Sequence, residues 1–386
     1  MTPAVLVGPT ASFAALRIRP AEPSSDAPET APPSGGGGQV SNTASGYADT
    51  LVQAGSIGAL TINDRPEHAP DPTPWLRAVW SLGFPRQARV ELRFLRCPGS
   101  QGIRAYLLVR APEPAAAADM ISQLRQYLPG NLLGVPVTDL ASLHGVLAPF
   151  QPDPSGIAEI GKCVTAQRTT RADATTPWLA VVTPWRRHDG TSWSRVWAEL
   201  AAQPASALVS VGLLPFRVGD NLKLNLQARA AEMAYLAQPG PSPTGAVFGA
   251  GRAPDQFALA AAPVLAEAVS RYVDEAFQIR VSIAAARPLP PHFVHQLAQA
   301  VSPGHPTAGL SGRPATVLRP SGPESLTAWR NITDLRFDPL PSSRALPLGA
   351  LSPLDQTLTA IATPDEAAAA CQLPHHATLP LLNADM

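Results

Sequence analysis

The sequence has little cysteine, no excess of charge and no long apolar run. Its three cysteines, Cys97, Cys163 and Cys371, stand too far apart to define a disulfide framework or a paired metal-ligand spacing. The 29 basic residues balance the 29 acidic ones, which argues against the basic surface of a dedicated nucleic-acid binder. We therefore expect buried, reduced thiols, no metal site and no direct sequence-specific binding of nucleic acid.

No segment approaches the roughly eighteen apolar residues that would span a bilayer. The start, "MTPAVLVGPTASFAALRIRP", also lacks a basic stretch followed by a long apolar core, which a secretory signal would need. We expect a cytoplasmic protein with no membrane insertion. Lysine is scarce as well, since only Lys162 and Lys223 occur and arginine supplies the other basic side chains.

What is present, 45% apolar residues in a chain of 386, is typical of a globular protein with two or three domains. The segment from Pro20 to about Ser45 has almost no apolar side chains, so we predict a disordered linker there. Before it, "AALRIRP" is a short strand or a tail, and order should begin near Tyr47 with "SIGALTIND" as a strand. The predicted parts are a disordered tail and linker (1–46), a first α/β domain (47–150), a second α/β domain (151–305) and a proline-rich C-terminal extension with one short helix (306–386).

The first set of regular elements begins with a hairpin. In "RVELRFLR" apolar residues alternate with Glu91 and Arg93, the pattern of a half-buried strand. After a turn, "IRAYLLVR" predicts the second strand. Pro114 suits the first turn of a helix that stops at Pro129.

A second set follows a passage rich in proline and glycine. Its elements are a strand "WLAVVT", a helix capped by Ser192, a strand "ALVSVGLLPF", a helix from Asp220 to about Ala237, a helix with Pro263 in its first turn, a strand "FQIRVSIAA" and a helix ending near Val301. The two sets predict an α/β (α+β) fold of two small sandwich domains, each with a mixed or antiparallel sheet and helices packed on one face. In the extension, Thr363 and Glu366 form a capping box.

"GIAEIGKC", Gly156 to Cys163, has the spacing of a phosphate-binding loop without its chemistry. Such a loop follows a hydrophobic strand and needs a hydroxyl after its lysine to hold magnesium. Here "QPDPS" precedes Gly156, and Cys163 follows Lys162 with a thiol that magnesium avoids. We predict an ordinary strand in "IAEIGKCVT" and no nucleotide binding. The dinucleotide pattern also fails, because Pro254 stands where "GAVFGAGRAP" would need its third glycine.

His292 and His295 lie three residues apart on a predicted helix and could in principle share a metal. We expect both imidazoles on the wet face of that helix, opposite the apolar side formed by Phe293, Leu297 and Val301. The pair His375-His376 is interpreted in the same way, and "RRHD" after Trp185 is a polar turn that could touch a partner. No catalytic, cofactor-binding or metal-ligating residue is assigned, and we expect a protein that is not an enzyme and has no cofactor.

Several phrases resemble the region ahead of the motor domain in HerA and FtsK type ATPases and in the related ATPases of conjugation and type IV secretion. The likeness spans about Ala88 to Pro374. The phrases are "VELRFLRCPGSQGIRAYLLVR", "ALVSVGLLPFRVGDNLKLNLQARAAEMAYL", "FQIRVSIAAARPLPPHFVHQLAQAVS", "AWRN" and "TPDEAAAACQLPH". In many members of that family a phrase like the last leads into the ATPase domain. The sequence ends at Met386, where that domain would begin, so we expect no counterpart of the family's catalytic residues.

The resemblance implies small α/β repeats and a role in assembling a hexameric motor or docking it to a membrane channel or effector. Our leading hypothesis is a non-catalytic accessory or assembly protein. Its expected partner is a separately encoded motor ATPase of DNA translocation or secretion, contacted through apolar sheet edges and the tail. A split or truncated motor gene product is a variant of this idea, and the chain could also form a homo-oligomer. The alternatives are a freestanding scaffold or adaptor without a motor partner, and an enzyme with dispersed active-site residues.

Overall fold

The chain passes twice through the same order of elements: strand, helix, strand, strand, helix, strand. The predicted linker beyond Ala21 and the predicted strand "SIGALTIND" lie outside the described residues. The residues that the computed structural model describes are 2–21, 71–100, 102–187, 191–241, 251–341, 346–347, 349–374 and 381–382.

The first unit forms four strands and two helices. A two-residue strand, β1 (Leu6–Val7), precedes it and pairs with its first strand. The elements of the unit are β2 (Ser12–Pro20), α1 (Thr73–Gly83), β3 (Arg89–Arg96), β4 (Arg104–Ala111), α2 (Pro114–Leu124) and β5 (Leu132–Pro136). Its strands lie in the order β5-β2-β4-β3, and every neighbouring pair is antiparallel. This order, fourth, first, third, second, is that of a ferredoxin-like unit.

The second unit repeats this topology. A helix, α3 (Leu140–Leu147), connects the two units along the chain. The strands of the second unit lie in the order β9-β10-β6-β11, again antiparallel throughout. Its six elements are β6 (Ile157–Gly161), α4 (Thr191–Ala201), β9 (Ala207–Arg217), β10 (Glu275–Ala285), α7 (Pro291–Val301) and β11 (Thr316–Leu318).

The second unit carries insertions that the first lacks. A hairpin separates β6 from α4. Between β9 and β10, the second and third strands of the unit along the chain, a pair of helices replaces the short turn found in the first unit. These inserted elements pack together around their own apolar cluster, which includes Val181, Leu226, Met233 and Leu265. They are β7 (Val164–Arg168), β8 (Trp178–Val182), α5 (Asp220–Leu236) and α6 (Gln256–Arg271), joined by a later helix, α9 (Pro353–Ala360).

The two units share one continuous sheet because β3 pairs with β9. Their antiparallel register places Leu92 opposite Val211. The α/β class and the antiparallel sheet are confirmed, whereas the two-domain arrangement is not confirmed, since the described residues group into one compact unit.

Both faces of the sheet are covered, where packing on one face was expected. One face carries α1, α2, α4 and α7, and its core includes Phe94, whose ring is tilted by 31° against that of Trp197 with the centroids 3.9 Å apart. The other face is covered by α3 and by α8 (Pro323–Thr333), whose Leu143 and Ile332 pack over Leu108 of β4. Residues that alternate along the central strands are therefore buried in both directions.

The segment after residue 305 belongs to this fold rather than extending from it. It supplies β11, α8 and α9, and a short strand β12 (Ile361–Ala362) that pairs with β10. The helix α10 (Pro364–Ala370) then packs on α1, α7 and β10. Its predicted capping box is confirmed, because the amide of Glu366 donates to Thr363 Oγ1 and the amide of Thr363 donates to Glu366 Oε2.

Other element predictions have mixed outcomes. The β3–β4 hairpin and the helix starting at Asp220 are confirmed. The position given to Pro263 is wrong, because α6 begins earlier, where the Asp255 carboxylate caps it by accepting from the amide of Ala258. Ser192 lies in the first turn of α4, which begins at Thr191. The segment "AALRIRP" is most of β2, an internal strand of the sheet.

Candidate functional site

A row of charged side chains crosses the centre of the sheet under α3 and α8. Cross-strand register places Glu91 of β3 opposite Gly212 of β9, which in turn stands opposite Arg280 of β10. Because glycine has no side chain, Arg280 passes over it and donates from Nη2 to Glu91 Oε2 at 2.6 Å. A Cβ atom built on Gly212 would stand 3.1 Å from that Nη2 and 3.3 Å from the Phe337 ring.

Arg93 of β3 shares the same carboxylate from the other side. Its Nε donates to Glu91 Oε1 at 2.7 Å, so one glutamate holds two arginines. The remaining Arg93 donors reach the backbone carbonyls of Val146, Leu147 and Ile332, at the ends of α3 and α8. Burial lowers the pKa of the Arg93 guanidinium and Glu91 opposes that shift. The guanidinium nevertheless stays charged, because arginine is not deprotonated in proteins.

A cavity of about 600 Å³ opens beside this network. Arg280 borders it next to the Phe337 ring, whose centroid lies 5.9 Å from the guanidinium carbon. Other polar lining residues include Glu159 of β6 and Gln278 of β10, and the apolar lining includes Leu318 and Leu340. A concave, mostly apolar wall with a few polar groups is the usual form of a small-molecule site.

The charged network was not anticipated from the sequence. The alternation in "RVELRFLR" predicted a half-buried strand with Glu91 and Arg93 on its polar side, yet both side chains are fully buried. The same holds for Arg280, which is 5% exposed. The helices α3 and α8 and the residue Phe337, which are distant in sequence from these strands, bury that side. An arginine and a glutamate at i and i+2 on a strand carry no local signal that they will be covered.

The phosphate-loop spacing around Lys162 has a different structural basis. The strand predicted in "IAEIGKCVT" is two strands, because β6 ends at Gly161 and β7 begins at Val164 in a separate two-stranded sheet. Lys162 lies between them in the interior, 1% exposed. Its Nζ donates to Tyr272 OH at 2.6 Å and to Glu366 Oε2 at 2.9 Å. Tyr272 OH in turn donates to the same Glu366 oxygen at 2.7 Å. The lysine thus ties β6 to α6 and α10 and points into protein.

Burial governs the protonation of this triad. It lowers the pKa of Lys162, while the Glu366 carboxylate acts in the opposite direction. It raises the pKa of Tyr272 well above its usual value, and the neighbouring Glu366 adds to that effect. Tyr272 is therefore a neutral donor at physiological pH, and Glu366 accepts from lysine, tyrosine and the helix N-terminus at once.

The histidines lie where the helical pattern placed them. His292 and His295 are exposed on α7, whereas Phe293 and Leu297 are buried, so this prediction is confirmed. His292 lies 2.7 Å from Glu199 of α4. In the described part of the chain, no group of three or more histidine, cysteine or acidic side chains could hold a metal ion. The pair His375-His376 lies outside the described residues.

Two other sequence features are partly described. Cys371 is buried and burial raises the pKa of its thiol, but Cys97 and Cys163 are only half-buried, unlike the expectation for all three. In "RRHD", Arg187 forms an exposed ion pair with Asp71 at 2.7 Å.

Within the ranges given above, no helix combines the length and apolarity needed to cross a bilayer. Comparison with protein-family models and with curated protein sequences finds no match to this chain.

Proposed function

We propose that the protein is a non-catalytic assembly protein that acts through contacts with another polypeptide, a separately encoded motor ATPase of DNA translocation or secretion. The observation that carries the proposal is a second apolar side on helix α5. Its inner side is buried through Leu226, Met233 and Leu236. The resemblance to the region ahead of such motors supplies the class of partner.

The outer side of α5 presents four exposed apolar residues in line. Leu224, Ala228, Ala231 and Tyr235 follow one another at spacings of four, three and four residues, the pattern of one helical face. Leu224 is 61% exposed and Tyr235 is 46% exposed. Tyr235 is also held in place, since its OH donates to Asp173 at 2.8 Å. Such a line of anchors is what one amphipathic helix offers another.

The placement of α5 in the fold supports the same proposal. The helix belongs to the inserted elements that the second unit has and the first lacks, so the repeated topology does not require it. An exposed apolar side on an element that the fold does not need favours recognition as its role. A partner helix on this side would complete a packing that the inner side of α5 already has.

The outer edges of the sheet are less suited to contact than we expected. One edge, β11, is three residues long and lies between Pro314 and Pro320. The other edge consists of the two-residue strand β1 and of β5, which both pair with β2. The strand β5 ends in Pro136, which has no amide hydrogen, and the amide of Leu132 already donates to Pro129 O. Short strands bounded by proline resist the addition of another strand. The proposal therefore rests on the side chains of α5.

Co-purification tests this function. The tagged full-length chain is isolated from its own cells and its partners are identified by mass spectrometry. The proposal expects a ring-forming ATPase with a genuine phosphate loop. A stable partner of another kind would support instead a freestanding scaffold or adaptor.

A second candidate, an enzyme with dispersed active-site residues, is favoured by the cavity beside Arg280. Glu159, Gln278 and Arg280 give that cavity ionisable and polar groups. Turnover of a small molecule by the purified chain, lost in Gln278→Ala, would support this candidate over the first.

A further inference from the structure

The cavity of about 600 Å³ beside Arg280 lies at an interruption in the pairing of β10. On one edge, β10 pairs with β9 along its whole length. On the other edge it pairs with β12 through Phe277 and Gln278, and with β6 through residues 281–284. Ile279 and Arg280 fall between these two registers, and both line the cavity. The space therefore opens between β6 and β12.

The walls of this cavity come from both sides of the sheet. Ile160 and Ile279 belong to the apolar core under α1 and α7, whereas Leu340 belongs to the core under α3 and α8. The rings of Trp185 and Phe337 also border the space. Flat aromatic molecules pack well against such rings, so we expect a ligand with an aromatic body.

Two buried donors belong to residues of this wall and have no acceptor among the described residues. They are the Nε atom of Arg280 and the Nε1 atom of Trp185. Each of the two residues is only 5% exposed. A buried donor without a partner costs free energy, and most buried polar groups therefore have one. A ligand that brings an acceptor oxygen into the cavity would supply the missing partner.

The surroundings of Arg280 favour a neutral acceptor over an anion. Its Nη2 already donates to Glu91, and its Nη1 donates to Ser282 Oγ at 3.1 Å. The same hydroxyl donates to Glu159 Oε1 at 3.4 Å, so the two buried arginines, Arg93 and Arg280, already have two carboxylates in their surroundings. Burying one more negative charge would be costly, whereas a carbonyl oxygen is buried at little cost once it accepts a hydrogen bond.

We propose that this cavity binds a neutral aromatic molecule whose carbonyl oxygen accepts a hydrogen bond from Arg280 Nε or Trp185 Nε1. The volume of the cavity falls within the range of roughly 300 to 1,000 Å³ found for small-molecule sites. The described residues that line it include none from α5. The inference concerns binding alone and does not depend on the function proposed above.

Ligand-detected NMR titration of the full chain tests the proposal with three probes of one flat body. They are 1-indanone, which has a neutral carbonyl, indane, which has no acceptor, and indane-1-carboxylate, which has a negative charge. We expect 1-indanone to bind about fivefold more tightly than either of the others, the usual effect of one neutral hydrogen bond. Ala360→Leu enlarges a lining side chain and should weaken the binding of 1-indanone, whereas Ala115→Leu, at an exposed position of α2, should not.

Two variants each remove one of the donors. The preference for 1-indanone over indane should fall severalfold in Trp185→Phe or in Arg280→Lys. Trp75→Phe is the matched control, because the Trp75 indole is also buried without a partner in the described chain but does not border the cavity.

Folding of the variants is checked by circular dichroism and thermal unfolding. If Arg280→Lys does not fold, the Nε–H resonance of Arg280 in the wild type replaces it and should shift with 1-indanone but not with indane. The proposal is overturned if 1-indanone does not bind at millimolar concentration, or if indane or the carboxylate binds as tightly. It is also overturned if Ala360→Leu binds as the wild type does, or if neither donor is found to contribute to the preference for the carbonyl.

Discussion

Arg280 reaches across Gly212 to Glu91, and 2.6 Å separates its Nη2 from the carboxylate Oε2. Three antiparallel strands meet in this contact, two from the second unit and one from the first. The glutamate also holds Arg93, whose other donors bind the carbonyl ends of α3 and α8. The Arg280–Glu91 pair therefore connects the two repeated units, and through Arg93 it also connects them to the helices α3 and α8.

Gly212→Ala should destabilise the protein. The new methyl group would stand 3.1 Å from Arg280 Nη2 and 3.3 Å from Phe337, closer than side chains normally pack. We expect the free energy of unfolding to fall by about 1–3 kcal/mol in urea denaturation, the usual cost of overpacking. Gly130→Ala is the control, because nothing lies within 4 Å of a Cβ at that position. Equal stability of the two variants would show that Arg280 does not need the space over Gly212.

Glu91→Gln should cost more, since it leaves two arginines buried without their counter-charge. Removing one partner of a buried ion pair typically costs about 3–5 kcal/mol. The control is Glu267→Gln on α6, which removes a half-exposed partner of Arg271 and should cost no more than about 1 kcal/mol. In a double-mutant cycle, the variant with both Glu91→Gln and Arg280→Met should lose less free energy of unfolding than the sum of the losses in the two single variants. Strict additivity would mean that the two side chains are not coupled.

Lys162→Met should unfold the protein more easily without changing nucleotide binding. The substitution removes the cation that Glu366 and Tyr272 surround, and we expect a loss of about 3–5 kcal/mol. Lys223→Met provides a matched control, because that lysine forms only an exposed pair with Asp220 at 3.5 Å, worth at most about 1 kcal/mol. Micromolar, magnesium-dependent ATP binding that disappears in Lys162→Ala would contradict the structural role of this lysine.

The stability of the protein should fall as pH rises above 10.0, in part because of Tyr272. Its folded pKa is raised well above the usual 10.0 by burial and by Glu366, so the folded state keeps a phenolic proton that the unfolded state releases. A group that binds more protons when folded loses its contribution as pH rises past its unfolded pKa. Urea denaturation at a series of pH values should give a shallower decline above 10.0 for Tyr272→Phe than for the wild type.

Lys162 adds the opposite slope over a lower range. Burial lowers its folded pKa, so the unfolded state binds more protons below 10.5 and stability rises with pH as 10.5 is approached. This rise should be absent in Lys162→Met.

For Tyr272, the contradicting result is a pH profile of Tyr272→Phe identical to that of the wild type above 10.0. Such a result would be inconsistent with a buried, neutral phenol.

Local patterns in the sequence predicted many individual elements. The strand alternation of "RVELRFLR" and "FQIRVSIAA" located β3 and β10, the helical stripe located α5, and the Thr363 capping box located α10. These signals depend on neighbouring residues alone. The predicted domain boundaries differ from the bounds of the two repeated units, because β2 lies in the predicted tail and β11 lies in the predicted extension.

Long-range pairing could not be predicted in the same way. A long segment of the chain separates the strand β2 from α1, the next element of its unit. No local pattern could therefore assign β2 to the sheet. The Arg93 side chain is buried by carbonyls 53 and 239 residues further along the chain. A polar residue on an alternating strand looks the same in sequence whether water or another layer covers it. The cavity beside Arg280 lies on this covered face, so no local pattern in the sequence indicates it.

The most direct test of the account compares co-purification by the wild-type chain with that by Leu224→Asp, a charge placed on the exposed side of α5. Leu326→Asp on α8 is the matched control, because this leucine is 59% exposed, close to the 61% of Leu224. We predict that the wild type and Leu326→Asp retain a ring-forming motor ATPase and that Leu224→Asp loses it while folding normally. Equal recovery of that ATPase by all three chains, or no ATPase with any of them, would contradict the proposal.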